Sequence, residues 1–452
     1  MAAPSANNGS ASSPSGFPPP ARPVHVSLLG CGTVGGGVLR LLQENADRLS
    51  SRIGAPLVVR KVLVRDLDRA RVPECDRAWL TTNPRDVLDD PETDIVVEVM
   101  GGIDPASSFL REAIANGKQV VTANKALLAH QGPALVEQAV KQGVDLAFEA
   151  SVGGGIPVIR TLREALISDK VEGLTGIVNG TCNFVLTRMR HDGLSFADAL
   201  ADAQARGYAE ADPTLDVDGH DAAQKLIVLA MLAFGTKLDP SEVPTAGIRD
   251  VDAADHRYAA RFGYVVKHLA IGRDHGDSVE LRVHPALVPA DSVLASISGV
   301  LNALQIQGKA LGPCLLSGRG AGDLPTAVSV VADLVEVARS RREGAQGLST
   351  RGLHLKPRTL RPADDTVSRF YLRFSVVDRP GVLAAIAGIL GENEVSIEQM
   401  VQEGRGDLAH PVDIVMITHA ARYGGIRKSL AAVAPRYFVA GSPRVLRIED
   451  GQ

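Results

Sequence analysis

The segment from Gly207 to Lys225 contains five acidic side chains and one lysine within nineteen residues. Its first part, GYAEADPTLDVDGHD, has the Gly and Pro residues typical of a loop, and HDAAQKLIVLAMLAF predicts a helix capped by Asp218. Asp221 then lies in the first turn, where the helix dipole favours an anion, and Lys225 follows four residues later on the same face. Acids gathered around one lysine suit a small zwitterion, because carboxylates bind an ammonium group and a lysine can transfer a proton.

A solvent-exposed Asp–Lys pair is the alternative interpretation of Asp221 and Lys225, and for those two residues alone it would be preferred. Three features favour a functional site instead: the acidic loop, the Gly and Pro residues that restrict its backbone, and a helix with few other polar side chains. The segment therefore predicts a site for a small substrate that carries an amino group.

The chain before this segment predicts a nucleotide-binding unit. VHVSLLG, residues 24–30, is a strand candidate that runs into a G-x-G-x-x-G motif and then a predicted helix. The glycines of this motif allow a tight turn, close approach of the backbone to a pyrophosphate and close helix packing. Strand candidates at 57–64, 94–100, 119–123 and 144–150, with helical stretches between several of them, indicate an α/β fold with a doubly wound parallel sheet. The motif assigns Gly30, Gly32, Thr33, Val34 and Gly35 to cofactor binding; a glycine-rich turn in another α/β protein is the alternative.

The end of the second strand bears on which cofactor binds. Sites that prefer NAD usually place an acid there for the ribose 2′-hydroxyl. Here the strand runs into Arg65, whose forked donors suit a 2′-phosphate, and Asp66 follows. We therefore expect a preference for NADP(H), with NAD(H) possible if Asp66 turns inward.

Two further segments are expected to line the cofactor crevice, because open α/β sheets bind ligands at the carboxyl ends of their strands. Met100, Gly101 and Gly102 follow one strand, and two glycines there let a flat ring lie close to the backbone. Lys125 follows the next strand, within reach of both cofactor and substrate. A plain turn and a surface lysine are the alternatives.

Composition places the chain among ordinary globular proteins of several domains. Its 452 residues carry a formal net charge of −4 with a pI near 6.3, which gives no electrostatic footprint for nucleic acid or an anionic membrane. The longest apolar run, Leu226 to Phe234, is too short to span a bilayer. Four scattered cysteines indicate reduced thiols and a cytoplasmic protein. Residues 1–22, rich in Ala, Ser, Pro and Gly, predict a disordered tail.

The C-terminal third differs in composition from the rest. Residues 341–368 are polar, basic and interrupted by Gly and Pro, which predicts a flexible linker. Residues 369–452 then predict the order βαββαβ, with the sequence DRPGVL at the first turn. This order and turn resemble an ACT domain, a module that binds amino acids; a purely structural dimerisation module is the alternative.

Taken together, the motifs from Val24 to Gln452 resemble the homoserine dehydrogenase family. The resemblance rests on GCGTVGGG, TANKALLA, EASVGGGIPVI, GIVNGTCNF, GYAEADPTLDVDGHDAAQK and GAGDLPTA, of which the long acidic segment is highly specific. It implies a Rossmann-type NAD(P)-binding domain at 23–150, an α+β substrate-binding and dimerisation domain at 151–318, and a return segment at 319–340 that closes the cofactor site.

The same resemblance implies roles for individual residues. The family reduces L-aspartate 4-semialdehyde to L-homoserine with NAD(P)H, on the pathway to threonine and methionine. Lys225 resembles its general acid and Lys125 its second active-site lysine. Asp221 is the third catalytic residue that the resemblance implies. By the same resemblance Glu210 and Asp221 hold the substrate ammonium, with Asp216, Gly207 and Tyr208 as further substrate contacts. Gly207 and Gly322 are additional cofactor contacts.

The segment EASVGGGIPVI has a second expected role. A lone acid before a glycine-rich turn offers a carboxylate and backbone carbonyls, which are hard oxygen ligands for a hard cation. In the family this segment resembles a sodium site, carried here by Glu149 and the carbonyls of Val152, Gly154 and Ile156. An interdomain hinge is the alternative, and the two are compatible.

The resemblance leaves two classes of function to compare. The first is an active homoserine dehydrogenase, a homodimer or homotetramer inhibited by L-threonine through its ACT-like domain. The second is a cofactor-binding amino-acid sensor that has lost catalysis. A degenerate chain would have lost some of Lys125, Glu210, Asp221 or Lys225, and all four are present. A Rossmann reductase for a different small substrate would have no need for the acidic loop.

Overall fold

The computed structural model describes residues 22–350, 352–404 and 411–450. The predicted tail lies outside these residues, apart from Arg22. Within the described part of the chain, no helix has the length and apolar character needed to cross a membrane. All four cysteines are free thiols, as predicted.

The N-terminal unit is a six-stranded parallel sheet in the order β3-β2-β1-β4-β5-β6. This order is that of a doubly wound Rossmann sheet, and it confirms the fold predicted from the alternating pattern. The strands are β1 (Val24–Leu29), β2 (Leu57–Leu63), β3 (Leu80–Thr81), β4 (Ile95–Glu98), β5 (Gln119–Thr122) and β6 (Leu146–Ala147). The helices are α1 (Thr33–Glu44), α2 (Ala46–Ile53), α3 (Arg85–Leu88), α4 (Ala106–Ala115) and α5 (Lys125–Gln142).

The middle of the chain forms a mixed sheet with helices packed against it. Its helices are α6 (Val158–Arg160), α7 (Gly180–Asp192), α8 (Phe196–Ala205), α9 (Thr214–Val217), α10 (His220–Phe234), α11 (Ala253–Arg261) and α12 (Val293–Ser296). Its strands are β7 (Val171–Ile177), β8 (Thr236–Lys237), β9 (Tyr264–Asp274), β10 (Ser278–Pro289), β11 (Leu301–Gly308) and β12 (Gly312–Arg319). Most residues of α10 are buried, because it packs between α5 and strands β9 and β10.

The chain then returns to the nucleotide-binding unit through a long helix, α13 (Asp323–Arg342). Val330, Leu334 and Val337 of α13 are buried in one apolar cluster with residues of β1 and α1. Gly37 of α1 allows this packing, because a Cβ there would lie 3.0 Å from the side chain of Ala327. Helix α13 is therefore part of the core of the first unit, although it is distant in sequence.

The C-terminal unit has the predicted βαββαβ order. Its elements are β15 (Val367–Val376), α14 (Val382–Glu392), β16 (Ile397–Gln402), β17 (Val412–Thr418), a short β18 (Ala421–Arg422), α15 (Tyr423–Val433) and β19 (Arg444–Ile448), preceded by β13 (Lys356–Pro357) and β14 (Thr359–Leu360). Alternate residues of β15, such as Phe370, Leu372 and Phe374, are buried against α14 and α15.

The linker prediction for residues 341–368 differs from the structure. Helix α13 extends to Arg342, Ser349 donates its backbone N–H to the Asp145 carboxylate at 2.8 Å, and β13 and β14 pair with β8 and β10. Polar composition suggested flexibility, but these polar groups are used in hydrogen bonds to the folded units. The described residues of this segment, which exclude Arg351, therefore pack against the folded units, and Ser349, Thr350 and Thr366 are buried.

The middle and C-terminal units share one sheet. Strand β19 pairs with β15 on one side and runs parallel to β10 on the other, so the strand order is β12-β11-β7-β9-β10-β19-β15-β17-β16. Tyr371, Ile417 and Ile448 are buried in an apolar cluster with Val185 and Tyr258 of the middle unit. The flexible linker predicted at 341–368 implies a C-terminal module that folds separately, and this continuous sheet and core do not support that expectation.

Candidate active site

The start of helix α10 differs from the sequence prediction. Gly219, not Asp218, occupies the position before the helix, with a φ of 88° that favours glycine. The carboxylate of Asp218 is instead bound by the guanidinium of Arg249. The predicted cap at Asp218 is therefore wrong: a strong cation within reach competes for the carboxylate. Asp221 nevertheless lies in the first turn, as predicted.

Asp221 lies between two lysine side chains. Lys225 Nζ is 2.7 Å from Asp221 Oδ2, and Lys125 Nζ is 3.2 Å from Asp221 Oδ1. Asp221 and Lys225 are both buried, which excludes the alternative of an exposed surface pair. Burial alone would raise the pKa of Asp221, but Lys225 and Lys125 outweigh it and hold that pKa at about 2. The carboxylate is therefore ionised at neutral pH and fixes both ammonium groups.

Lys225 has a defined orientation. Besides its bond to Asp221, its ammonium group donates to the backbone oxygen of Val178 at 2.7 Å. An ammonium group has three N–H donors, so two are used within the described chain and one remains for another acceptor. A substrate oxygen beside Lys225 can accept this third donor.

Asn179 connects the acids of the site, and sequence reasoning did not assign it. Its side-chain amide donates to Asp221 Oδ2 and to Asp216 Oδ1, each at 2.8 Å, and its oxygen caps α7 by accepting from Cys182 N. Thr181 donates to the Tyr208 backbone oxygen at 2.7 Å. Burial and the charge of Asp221 raise the pKa of Asp216. The available signal was the position of this asparagine before a helix, within the GIVNGTCNF motif.

The structure does not bring every predicted substrate residue into this cluster. Glu210 is exposed on the loop before α9, and its carboxylate has no hydrogen bond or ion pair with any described residue. Gly207, with a φ of 74°, and Tyr208, 45% exposed, lie on the same loop. The ring of Tyr208 packs edge-on against Phe184 at 5.0 Å. The hydrogen bond from Thr181 to the Tyr208 oxygen places this loop beside the cluster, and the Glu210 carboxylate is available to a ligand.

The turn between β1 and α1 has the geometry of a phosphate-binding loop. Gly30 has a φ of 104°, and a Cβ on Gly35 would lie 2.7 Å from the Gly30 oxygen, so both positions require glycine. Nothing lies within 4 Å of a Cβ built on Gly32, which leaves space at the N-terminus of α1. Thr33 and Val34 form the first turn of that helix, where free N–H groups attract phosphate.

The loop after β4 is held by a buried acid that sequence reasoning also missed. Glu98 Oε1 accepts the backbone N–H of Met100 at 2.8 Å and of Gly101 at 3.2 Å, and Glu98 Oε2 accepts from Thr122 at 2.6 Å. Burial raises the pKa of Glu98. Gly101 and Gly102 are both exposed with a φ of 76°, so this loop presents open backbone.

Asn124 sets the position of Lys125. Its side chain caps α5 by accepting from Leu127 N at 3.1 Å, and its amide donates to the Gly102 oxygen at 2.6 Å. Lys125 is therefore the first residue of a capped helix, attached to the loop that follows β4. The lysine contacts the second unit through Asp221, so it is not an isolated surface residue.

Arg65 and Asp66, which follow the end of β2, differ in their hydrogen-bonding partners. Arg65 is exposed, and no carboxylate pairs with it among the described residues. The Asp66 carboxylate accepts the backbone N–H of Asp68 at 2.9 Å, and its backbone oxygen is bound by Arg71. The acid is thus used within its own turn, whereas the arginine is available.

The predicted cation segment is buried and already hydrogen-bonded. Glu149 accepts backbone N–H groups of Ile159 and Arg160, each at 2.8 Å, and burial raises its pKa. The Gly154 oxygen accepts the hydroxyl of Ser329 at 2.6 Å. The carbonyls of Val152 and Ile156 belong to the same buried turn. Gly322, with a φ of 123°, precedes α13, whose Ser329 makes this contact.

A second carboxylate lies beside the segment. Asp333 of α13 accepts the backbone N–H of Glu149 at 2.8 Å. Burial first, and then the charges of Glu149 and Glu336, raise its pKa to about 8. The two acids and the carbonyls are hard oxygen donors, but Glu149 and the oxygens of Gly154 and Ile156 already accept hydrogen bonds. Among the described residues, no group of three or more histidine, cysteine or acidic side chains is placed to hold a metal ion.

Family models match most of the chain. Residues 30–149 match the NAD-binding domain of homoserine dehydrogenase, residues 157–335 match homoserine dehydrogenase, and residues 370–435 match the ACT domain. A homoserine dehydrogenase of Pseudomonas aeruginosa is 42% identical over 95% of this chain and 99% of its own. A homoserine dehydrogenase of Bacillus subtilis is 41% identical over 88% of this chain and 91% of its own.

The chain belongs to the homoserine dehydrogenase family. Solved structures agree: a homoserine dehydrogenase from Thiobacillus denitrificans superposes with a TM-score of 0.89 at 44% identity, covering 95% of this chain and 99% of that one. An archaeal homoserine dehydrogenase solved in complex with NADPH superposes with a TM-score of 0.60 at 28% identity, covering 70% of this chain and 98% of that one. Family membership makes the chain an NAD(P)-dependent oxidoreductase with an NAD(P)-binding domain and an ACT domain, as the motifs indicated.

Proposed function

We propose that the chain reduces L-aspartate 4-semialdehyde to L-homoserine, on the route to threonine and methionine, with NADPH preferred over NADH. The observation that carries this proposal is the cluster in which Asp221 joins Lys125 of the nucleotide-binding unit to Lys225 of the substrate unit. Ammonium groups from two units converge on one carboxylate, so the cluster adjoins both the cofactor crevice and the acidic loop.

The chemistry divides between the cofactor and the side chains. When bound, the reduced nicotinamide supplies a hydride for the aldehyde carbon. Lys225 directs its remaining N–H toward the carbonyl oxygen and donates a proton as the negative charge develops there. Asp221 holds the ammonium groups of Lys225 and Lys125 in place. Lys125 adds positive charge on the cofactor side.

The acids of the loop are proposed to bind the substrate ammonium. Glu210 has a free carboxylate, and Asp216 is held by Asn179, which also bonds Asp221. Gly207 and Tyr208 provide backbone and ring surface beside them. Because Glu210 is exposed, we expect the loop to close over the substrate so that this carboxylate reaches the amino group.

The preference for NADPH rests on the end of β2. Arg65 is exposed and free for a 2′-phosphate, whereas Asp66 is used in its own turn and is not directed at a ribose hydroxyl. The archaeal relative solved with NADPH supports the same choice. Gly30, Gly32, Gly35 and the loop at 100–102 would hold the pyrophosphate and nicotinamide portions.

A sodium ion is proposed at Glu149 and the carbonyls of Val152, Gly154 and Ile156. The support is the buried, acid-rich environment, in which Glu149 and Asp333 both have raised pKa values. A cation would compensate their charges at neutral pH and stiffen the junction between the units. Its role would be structural, since the segment is not part of the lysine cluster.

We also propose a cytoplasmic homodimer or homotetramer that L-threonine inhibits. The ACT domain supports amino-acid regulation, because modules of this family bind amino acids. Threonine is the end product of the proposed route, which makes it the first effector to test.

A direct assay tests the proposal. Oxidation of NADPH by the full-length chain is followed with L-aspartate 4-semialdehyde, with NADH in place of NADPH, and with threonine added. Turnover that is faster with NADPH and reduced by threonine supports the whole proposal. Binding of NADPH without turnover would identify a cofactor-binding sensor instead.

A further inference from the structure

The side-chain amide of Asn179 has a fixed orientation between two acids. Its oxygen accepts the backbone N–H of Cys182 at 2.8 Å, and its nitrogen donates to the carboxylates of Asp216 and Asp221, each at 2.8 Å. The reverse orientation would place the amide oxygen against both carboxylates and leave the N–H of Cys182 without this acceptor. The buried amide of Asn179 therefore has two separate tasks: its oxygen caps α7, and its nitrogen bridges two acids.

The two acids differ in the charges that hold them. Asp221 forms ion pairs with Lys225 at 2.7 Å and with Lys125 at 3.2 Å. Within the described chain, no lysine or arginine forms an ion pair with Asp216, whose side chain is bonded by neutral groups. Burial first, and then the charge of Asp221, raise the pKa of Asp216. Of the two acids, Asp216 is therefore the one that takes up a proton more readily.

A hydrogen bond donated to a carboxylate favours its charged form, and Asn179 donates such a bond to Asp216. Thr181 Oγ1 also lies 3.2 Å from this carboxylate, but its single hydrogen is directed to the Tyr208 oxygen at 2.7 Å. Loss of the amide would leave a partly buried acid beside a second negative charge. In that setting a carboxyl group stays protonated to a higher pH.

The other titratable groups that face Asp216 do not replace this bond. Lys225 and Asp221, both on α10, act on it with opposite charges. Cys182 of α7 donates its thiol to the Asp216 backbone oxygen at 3.2 Å, and burial raises the pKa of that thiol, which is therefore neutral. The charge of the Asp216 carboxylate thus depends on the amide of Asn179.

We propose that Asn179 is a positioning residue for the reduction, whose amide keeps the Asp216 carboxylate charged and directed at the substrate ammonium. In this role Asn179 acts through the two acids that it bridges. The identity of the ligand as an ammonium group rests on the proposed function, whereas the bridge and its effect on Asp216 do not. The two tasks of the amide can be separated by substitution.

Asn179→Ser keeps the cap and removes the bridge. A serine hydroxyl can accept the backbone N–H of Cys182, because serine and asparagine are similarly favoured before a helix. Its shorter side chain carries a single donor, so it cannot bond Asp216 and Asp221 together. Asn45→Ser is the matched control, because it makes the same exchange at an asparagine that precedes α2 in the nucleotide-binding unit.

A carboxyl titration tests the bridge without any substrate. The full-length chain is labelled with ¹³C at its aspartate carboxyl groups, and the Asp216 signal in the NMR spectrum is identified by its loss in Asp216→Asn. In Asn179→Ser the pKa of Asp216 should rise, with its proton affinity increased at least ~10-fold, the scale of one lost charge-assisted hydrogen bond. Asn45→Ser should leave the titration unchanged. An unchanged Asp216 titration in Asn179→Ser would overturn the proposal.

Asn179→Asp gives the same information if Asn179→Ser does not fold. It keeps the size of the side chain and the acceptor that caps α7, but it replaces the donor nitrogen by an oxygen. The pKa of Asp216 should therefore rise in this variant too. A titration that matches the unchanged chain would again contradict the bridge.

Steady-state kinetics across pH test the link to the reaction. If Asp216 binds the ammonium as a carboxylate, a raised pKa removes that carboxylate as the pH falls through the higher value. Asn179→Ser should therefore raise the KM for L-aspartate 4-semialdehyde by up to ~10-fold, more at pH 6 than at pH 8. The kcat and the KM for NADPH should change little, because Lys225 and the cofactor crevice are intact.

The two measurements fail in different ways. A lower kcat at every pH, with an unchanged KM for the semialdehyde, would indicate a purely structural role for Asn179 and overturn the proposal. No turnover by the unchanged chain would refute the proposed function, and the carboxyl titration would still decide whether Asn179 controls the charge of Asp216.

Discussion

The ammonium group of Lys125 lies 3.2 Å from the carboxylate of Asp221, and this ion pair joins the nucleotide-binding unit to the substrate unit. Lys125 is the first residue of α5, and Asp221 lies in the first turn of α10, two helices that pack together. The contact therefore depends on the relative position of the two units. Any change that separates them alters the charges around Lys225.

Substitution of Lys225 tests its role as the proton donor. Lys225→Ala should lower kcat by at least ~10²-fold, the usual scale for a positioned general acid, while cofactor affinity stays nearly unchanged. The measurement is steady-state kinetics with L-aspartate 4-semialdehyde, together with a fluorescence titration of NADPH. Lys141→Ala, at an exposed position near the end of α5, is the matched control. Near wild-type kcat in Lys225→Ala would exclude this residue as the acid.

Substitution of Arg65 tests the preference for NADPH. Arg65→Ala should raise the KM for NADPH by ~10-fold or more and leave that for NADH almost unchanged, because only NADPH has a 2′-phosphate. Arg69→Ala is the control, since that arginine is also exposed on the same turn. Equal losses for both cofactors would mean that Arg65 does not discriminate between them.

The sodium proposal predicts a specific effect on stability. At pH 8 and matched ionic strength, NaCl should raise the Tm above that in choline chloride by about 2–4 °C, the shift expected for a gain of ~1 kcal/mol. Glu149→Gln should abolish the difference, whereas Glu164→Gln, at an exposed position nearby, should retain it. If the unchanged chain had the same Tm in both salts, the proposal that sodium binds at this segment would be wrong.

The continuous sheet predicts what happens when the ACT domain is removed. Truncation after Asp365 leaves β10 without β19 and exposes the cluster that Tyr371, Ile417 and Ile448 complete. The truncated chain should therefore melt at a Tm lower by roughly 10 °C or aggregate, which calorimetry and light scattering would measure. A truncated enzyme that is fully stable and active would show that the C-terminal unit folds independently.

Buried histidine should make the chain sensitive to mild acid. Burial lowers the pKa of His268 to about 4, below its unfolded value near 6.5. The folded chain holds this ring neutral, so its contribution to stability is complete above pH 6.5 and is lost as the pH falls toward 4, by on the order of 3 kcal/mol. His268→Gln should reduce this fall in the free energy of unfolding. His191→Gln, at an exposed position, should behave as the unchanged chain does.

Local patterns in the sequence were enough to predict much of the fold of this enzyme and part of its active site. The glycine spacing at 30–35 predicted the phosphate-binding turn, the alternation of elements predicted the Rossmann sheet, and the turn at 378–381 predicted the ACT domain. The pairing of Asp221 with Lys225 was also predictable, because residues four apart on a helix share a face. Each of these features is set by residues that are close together in the chain.

Tertiary structure alone decided the rest. Asn179 as the bridge between Asp216 and Asp221 and the ion pair of Lys125 with Asp221 join residues far apart in sequence. The polar segment 341–368 looked flexible because composition does not show which hydrogen-bonding partners the fold supplies. The union of β10 with β19 likewise depends on the register between distant strands. Periodicity tells which face of an element is buried, but only the packed chain determines what that face contacts.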